Sequence, residues 1–264
     1  DLLKAVKGNK DYSALADEFV LSVIRKELPS SKTRKDAVKA IRSKLHQVGN
    51  AYYPQKIDYA LLLTELEKIP ADGSTAEARS YIQRILGLHA STKERLPFHE
   101  ELMSTILDAS GPVDSLQDLA CGFNPVSFPL FPQLKLTRIS VCEIYEDQIQ
   151  FLKRFLVHFK INGTAVTRDL TSSIPTDFFH LTLLFKTIPC LEQVDKQIAA
   201  RLLSEINSEH LAVTFPVTSL SGKSKGMRKN YADRFLALAG TEDWHIQRYD
   251  FTGELLFLLS KKAR

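Results

Sequence analysis

The sequence predicts an α/β protein, a doubly wound parallel sheet that ends in an antiparallel hairpin and is preceded by an N-terminal helical domain. Three observations carry this. Apolar residues recur at helical spacing through the first hundred positions. From about residue 114 the period becomes that of strands, with helical stretches between the early ones. The last two strand-like runs are separated only by a short turn at Thr252-Gly253, which makes them a hairpin.

Composition bounds the rest. The 264 residues are 44% apolar and 25% charged, which excludes disorder along the whole chain. Apolar runs such as residues 181–185 and 255–259 are strand-length, far short of the roughly 20 residues of a spanning helix. Three cysteines, Cys121, Cys142 and Cys190, do not make a disulfide scaffold. No signal peptide is apparent, so a cytoplasmic protein without a membrane anchor is expected.

The helical segments come in order. Over residues 11–28, Ala16, Phe19, Val20, Val23 and Ile24 share one face. Over residues 32–48, steps of about 100° place Lys32, Lys35, Lys39 and Arg42 on one arc, opposite Ala37, Ala40, Ile41, Leu45 and Val48. That purely cationic face suits phosphate binding, or else simple solvation. Further helical patterns cover residues 54–68 and 75–86. Ser91 with Glu94 matches a capping box, while Pro97 favours a later start. The expected boundary separates residues 1–86, helical, from 87–264.

The strands are expected at residues 115–120, 137–143, 163–167, 180–186, 209–215, 245–250 and 254–260, with helices at 146–159 and 191–206. Ligands of such sheets sit beyond the carboxyl ends of the strands. The first strand runs into the small-residue turn Ala120-Cys121-Gly122, and the second ends at Glu143, an acid able to accept ribose hydroxyls. Asp169-Leu170 follows the third strand and Phe185-Lys186 the fourth. Together these describe an adenosine pocket, although each has an ordinary structural explanation. Cys121 reads as a packing residue. No nucleophile elbow and no His/Cys cluster at metal spacing is present, so no metal is expected. After the fifth strand comes a long cationic stretch with Lys225, Gly226, Met227, Asn230 and Tyr231. Its basic groups and apolar wedge suit an extruded nucleotide, unless Met and Tyr pack back on the core.

Four runs in this order resemble the aminoglycoside-resistance 16S rRNA (guanine(1405)-N(7))-methyltransferase family. They are His89-Ala90-Ser91-Thr92-Lys93-Glu94-Arg95-Leu96, Asp118 through Pro125, Phe185-Lys186-Thr187-Ile188-Pro189-Cys190-Leu191-Glu192, and Phe215-Pro216 with Lys225-Gly226-Met227 and Asn230-Tyr231. The resemblance extends over nearly the whole chain. It implies an S-adenosylmethionine-dependent methyltransferase (Rossmann-like) fold acting as a monomer on 16S rRNA in the assembled 30S subunit. By motif, the S-adenosyl-L-methionine site would comprise Tyr52, His89, Ala90, Ser91, Thr92, Lys93, Glu94, Arg95, Ala120, Gly122, Glu143, Asp169, Leu170 and Phe185. Arg95 would pair with the methionine carboxylate, Glu143 hold the ribose, and Asp169 and Leu170 meet the adenine. Lys225, Gly226, Met227, Asn230 and Tyr231 would form the target-base loop, and Lys32, Lys35, Lys39 and Arg42 would dock on rRNA. The family commonly has Asp where Glu143 stands.

Guanine N7 has an in-plane lone pair and needs no deprotonation, so no general base is expected. Positioning would carry the rate, at about 7–11 kcal/mol of barrier. Two rivals on the same residues are a nicotinamide-dependent oxidoreductase and a non-catalytic ribosome-binding protein with a vestigial pocket.

Overall fold

Strand β1 (Ser115–Leu119) is buried along its whole length, and its parallel neighbours β2 (Arg138–Glu143) and β4 (Phe179–Phe185) lie on either side of it. The computed structural model of the chain describes residues 1–132, 134, 137–217, 227–240 and 243–262, with only the backbone of residues 50 and 227. With β3 (Gly163–Thr167), β5 (Ser208–Pro216), β6 (Trp244–Asp250) and β7 (Glu254–Lys261), the sheet has seven strands in the order β3-β2-β1-β4-β5-β7-β6. Pairing is parallel as far as β5 and antiparallel for β5–β7 and β6–β7. The hairpin therefore folds inward. Its second strand, an unbroken apolar run, takes the covered position, and the alternating β6 takes the edge. The expected strand limits hold to within a residue.

Helices α4 (Tyr59–Leu66), α5 (Ala76–Leu86), α7 (His99–Ser110) and α8 (Glu146–His158) share one core with the sheet. Phe151, Leu152 and Phe155 of α8 are fully buried. Each contributes about 1.5–3 kcal/mol over an exposed position. On the other face, α9 (Thr187–Leu191), α10 (Ile198–Glu205) and α11 (Met227–Ala239) pack in a second core. The short helix α6 (Ala90–Arg95) leads into α7.

A third, smaller core holds α1 (Leu2–Lys7), α2 (Asp17–Glu27) and α3 (Arg34–Val48) together through Phe19, Val20, Val23, Ile41 and Leu45. The predicted apolar faces of α2 and α3 are the buried ones. These cores divide near residue 53, however, and not at the expected boundary of 86–87, because α4 and α5 bury their apolar faces with the sheet. Backbone bonds stitch the small unit to the exit of β2. Ala16 N donates to the Ile144 carbonyl (2.9 Å), and Glu146 N donates to that of Ala14 (2.8 Å).

Three local expectations are corrected. The helix expected over residues 191–206 is two, since Asp195 Oδ1 accepts from Gln197 N (3.0 Å) and turns the chain between α9 and α10. The helix expected over residues 54–68 begins only at Tyr59, where Asp58 caps it. Neither start weighed for residues 91–97 is the observed one. Helix α6 opens after His89, and the Thr92 hydroxyl donates back to the Leu86 and His89 carbonyls. Pro97 lies in a 3-10 turn ahead of α7. No helix among the described residues is long and apolar enough to cross a membrane.

The cationic arc of α3 divides by use. The helix expected from residue 32 begins at Arg34 after its cap Thr33, so Lys32 precedes it, and Lys32, Lys35 and Lys39 are exposed. Arg42 is half-buried, its Nη2 donating to the Ala5 (2.7 Å) and Val6 (3.5 Å) carbonyls at the end of α1. Its guanidinium is thus committed to holding α1, which corrects its assignment to the free cationic face. Arg42→Ala should lose about 1–3 kcal/mol in urea unfolding, as expected for a charge-assisted bond to buried carbonyls. Lys39→Ala should change stability by less than about 0.5 kcal/mol. Equal effects would mean that Arg42 carries no structural load.

Candidate functional site

The order of the sheet reverses between β1 and β4, so a crevice opens beyond their carboxyl ends. The turn after β1 takes two left-handed residues, Ala120 (φ 52°) and Gly122 (φ 51°). At Gly122 the need for glycine is steric as well as conformational, since an added Cβ would lie 3.1 Å from His89 Cε1. Hydrogen bonds fix this turn on both sides. Gly122 N donates to Glu143 Oε1 (3.2 Å), Gln148 Nε2 donates to the Gly122 carbonyl (2.6 Å), and Ile144 N donates to Glu143 Oε2 (2.6 Å). Burial raises the Glu143 carboxyl above the usual range, and the two backbone donors partly offset this. Asp118, fully buried beneath the turn, is pushed up to about 8 by burial, although Asn124 Nδ2 donates to it (2.7 Å).

A cavity lies over the turn. Its floor is Ala120, Cys121, Gly122, Glu143, Phe185, Lys186 and Thr187. Ser91, Thr92 and Arg95 of α6 form one wall, Cys190 and Leu191 of α9 another. The N-terminal unit forms the roof, with Phe19, Val48, Gly49, Tyr52 and Tyr53. His89 is buried between these parts, stacked on Tyr52 (5.6 Å between centroids) and edge-on to Tyr53 (4.9 Å). Burial, and then the charge of Arg95, lowers its imidazole to about 3, so the ring is neutral. Its Nδ1 has no partner among the described residues. Tyr52 Oη lies 2.8 Å from Cys190 Sγ, and burial pushes that thiol up to about 11.

One end of the cavity carries an ionic cluster. Arg95 is 1% exposed, places its guanidinium 4.5 Å from the centre of the Phe185 ring, and donates Nε and Nη2 to the two oxygens of Glu254 (2.9 and 3.3 Å). Lys186 Nζ reaches the same carboxylate at 3.2 Å and Glu94 at 2.7 Å. Lys186 is left-handed (φ 56°) at the end of β4, a strained conformation for a side chain of that size. Glu254 is fully buried, whereas Glu94 stands at the rim. Two buried cations therefore border the cavity, countered by the buried Glu254 and the more exposed Glu94, and an anionic ligand group would find its donors in Arg95 and Lys186.

Of the residues the sequence singled out, the cavity gathers Tyr52, His89, Ser91, Thr92, Arg95, Ala120, Gly122, Glu143 and Phe185. Ala90, Lys93 and Glu94 belong to α6 without lining it, and Glu94 acts through Lys186. Asp169 and Leu170 also lie off the lining. The Asp169 carboxylate accepts from Thr171 N (2.9 Å), Thr171 Oγ1 (2.7 Å) and Ser172 Oγ (2.8 Å), which ties it into its own turn, and Leu170 is buried in the second core. Lys225 and Gly226 fall outside the described residues, as does the side chain of Met227, whose backbone opens α11. Asn230 is exposed, and Tyr231 stacks on Phe215 (5.1 Å) instead of projecting outward. Sequence reasoning missed the roof residues other than Tyr52, Lys186 as an ionic partner, and Glu254. A lone acid at the head of the apolar run 255–259 was the signal available for Glu254.

Comparisons with known proteins bear on the family and the fold. The family model described as ribosomal RNA methyltransferase (FmrO) matches residues 8–258. A 16S rRNA (guanine(1405)-N(7))-methyltransferase of Frankia casuarinae is 29% identical over 98% of this chain and 92% of its own. One of Micromonospora echinospora is 30% identical over 98% and 95%. The crystal structure of the 16S rRNA methyltransferase RmtF in complex with S-adenosyl-L-homocysteine superposes with a TM-score of 0.82, at 29% identity, covering 99% of this chain and 97% of that one.

Two outcomes follow from the buried charges. Glu254→Ala strands Arg95 and Lys186 without their shared carboxylate and should cost about 3–5 kcal/mol in chemical unfolding. A loss below about 1 kcal/mol would show that the cluster is not desolvated. His99, whose ring lies 5.7 Å from that of Phe131, is also lowered to about 3 by burial. A histidine that stays neutral when folded but protonates near 6.5 when unfolded costs stability as pH falls from about 6.5 toward 3. His99→Phe should flatten this decline in urea midpoints between pH 7 and 5. An unchanged slope would mean that the ring takes up protons in the folded chain.

Proposed function

The chain belongs to the ribosomal RNA methyltransferase (FmrO) family, and we propose that it is a 16S rRNA (guanine(1405)-N(7))-methyltransferase that uses S-adenosyl-L-methionine. Relatives of that name match it over nearly their whole length. The observation that carries this is the cavity over the switch point, which supplies polar groups for the acyclic and ribosyl parts of such a donor. Arg95 and Lys186 offer positive charge to its carboxylate. Neutral His89, with Nδ1 open, and the Ala120–Gly122 turn take the amino-acid portion. Glu143 accepts from the ribose with the remaining lone pairs of its carboxylate while keeping its bond to Gly122 N. The acyclic and ribosyl parts thus have partners of matching sign, and the roof residues Phe19, Tyr52 and Tyr53 exclude water.

When bound, S-adenosyl-L-methionine supplies a methyl group on a cationic sulfur. Guanine N7 presents a lone pair in the ring plane and carries no proton to remove. The chain therefore needs no general base, and its contribution is to orient the purine edge toward that methyl and keep solvent out. The buried tyrosines and thiols around the cavity are all raised above their usual ranges and remain neutral. The polar groups that matter are thus fixed donors and acceptors, not proton shuttles.

Lys32, Lys35 and Lys39 form an exposed cationic row on the roof unit. In this reading they contact rRNA phosphates within the assembled 30S subunit and set the register, while Met227 and Lys225 hold the extruded guanine. A ribosomal substrate would place the enzyme, acting as a monomer, in the cytoplasm, and methylation at this base would confer aminoglycoside resistance.

The test is methyl transfer from labelled S-adenosyl-L-methionine to purified 30S subunits, with primer extension across the decoding site. Borohydride reduction and aniline cleavage precede the extension, because an N7 methyl lies off the base-pairing edge and does not itself stop the polymerase, and wild-type protein should then give a new stop marking guanine 1405. The double charge reversal Lys35→Glu/Lys39→Glu should raise KM for the subunit about tenfold or more and flatten its salt dependence, with unchanged thermal stability. Met227→Ala should lower kcat/KM about tenfold, the loss of one stacked base contact. A stop at another base would overturn the target assignment. Wild-type kinetics in both variants would overturn the docking surfaces.

A further inference from the structure

We propose that Gln148 and Tyr53 are positioning residues that hold the Gly122 carbonyl, so that the turn beneath the methyl donor is set only when the helical roof is seated. The inference rests on the assignment of the cavity to that donor. Gln148 is the third residue of α8 and is fully buried. Its neighbours on that face, Ile149, Phe151, Leu152 and Phe155, are apolar, and leucine would fill the same space without a desolvation cost. The amide is retained with both ends engaged. Nε2 donates to the Gly122 carbonyl at 2.6 Å, and Oε1 accepts from the Tyr53 hydroxyl.

The Gly122 N–H and carbonyl belong to different peptide planes. Glu143 holds the first and Gln148 the second, so φ and ψ of the glycine are both pinned. Glu143 comes from the sheet, but the second hold leads outward. Tyr53 follows the 3-10 turn Asn50–Tyr52 at the end of α3, and its ring packs against His89 (4.9 Å) and Tyr145 (5.1 Å). A displaced roof would leave the Gln148 carbonyl without its donor and the amide free to rotate off Gly122. The exposed lysines of α3 are on the helix that ends in this connection, so the seating of the roof and the shape of the turn are joined by two hydrogen bonds.

The variants separate this from packing. Tyr53→Phe keeps the ring. Gln148→Met and Gln148→Leu keep volume and lose both hydrogen bonds. Titration with S-adenosylhomocysteine in a calorimeter should show about tenfold weaker binding for each, at melting temperatures close to wild type. The double variant Tyr53→Phe/Gln148→Leu should be no weaker than Gln148→Leu alone, because one broken link already opens the chain. In turnover, KM for S-adenosylmethionine should rise with kcat at saturation unchanged. If Arg95→Ala loses binding while the Gln148 and Tyr53 variants bind like wild type, the positioning role is overturned and the cavity assignment stands. Additive losses in the double variant also overturn it. If wild type does not bind, or Arg95→Ala binds equally well, the cavity assignment fails and this inference with it.

Discussion

Two cations share one carboxylate in the interior of this chain, and the placement of everything around the cavity answers to that. Arg95, Lys186 and Glu254 come from a helix, a strand end and a strand start that are far apart in sequence. Removing three charges from water is tolerable only with close geometry, and the fork of Arg95 on both oxygens of Glu254 supplies it. The inward fold of the hairpin brings Glu254 beside β5, opposite Pro216, and so to the ligand end of the sheet. The left-handed turn of Lys186 brings its ammonium back over the same carboxylate. Strain and desolvation are concentrated at the ligand end of the sheet.

The second requirement is a cover. The sheet and its own helices leave the crevice open, and α2, the end of α3 and the segment after it close it with Phe19, Val48, Gly49, Tyr52 and Tyr53. Gly49 shows how close that cover lies, because a Cβ there would collide with the Tyr145 hydroxyl at the exit of β2. A single helix therefore has two tasks. Its lysines face outward, and its final turn forms part of the interior.

Much of this was legible in the sequence. The apolar runs of β4 and β7, the helical spacing of α2 and α3, and the hairpin turn all express burial, which local pattern records directly. The cavity residues next to strand ends, Gly122 and Glu143 among them, were legible for the same reason, since strand ends fix where the ligand edge lies. What stayed hidden was partnership. Arg42 looks like any other lysine-row cation until α1 is seen to end beneath it. Asp169 reads as a ligand-facing acid, and the bonds it accepts within its own turn leave no trace in the local pattern. Glu254 and Gln148 are polar residues beside apolar neighbours, and only the third dimension says which distant group each one satisfies. The cores likewise divide near residue 53 because α4 and α5 cover the sheet, a choice that periodicity does not encode.

The stitch between residues 14–16 and 144–146 has a bearing on how such chains can be recombined. It is made by main-chain groups, so side-chain drift cannot easily break it, yet it depends on the register of two segments about 130 positions apart. A chimera that exchanges the first fifty residues between relatives would preserve the weld whatever the side chains. The Tyr53–Gln148 contact would then stay within one parent, and it crosses the graft only when the exchange extends past residue 53. Crossovers placed between residue 16 and residue 53 would separate these two fastenings, and the parental blocks most able to tolerate exchange are those that inherit both.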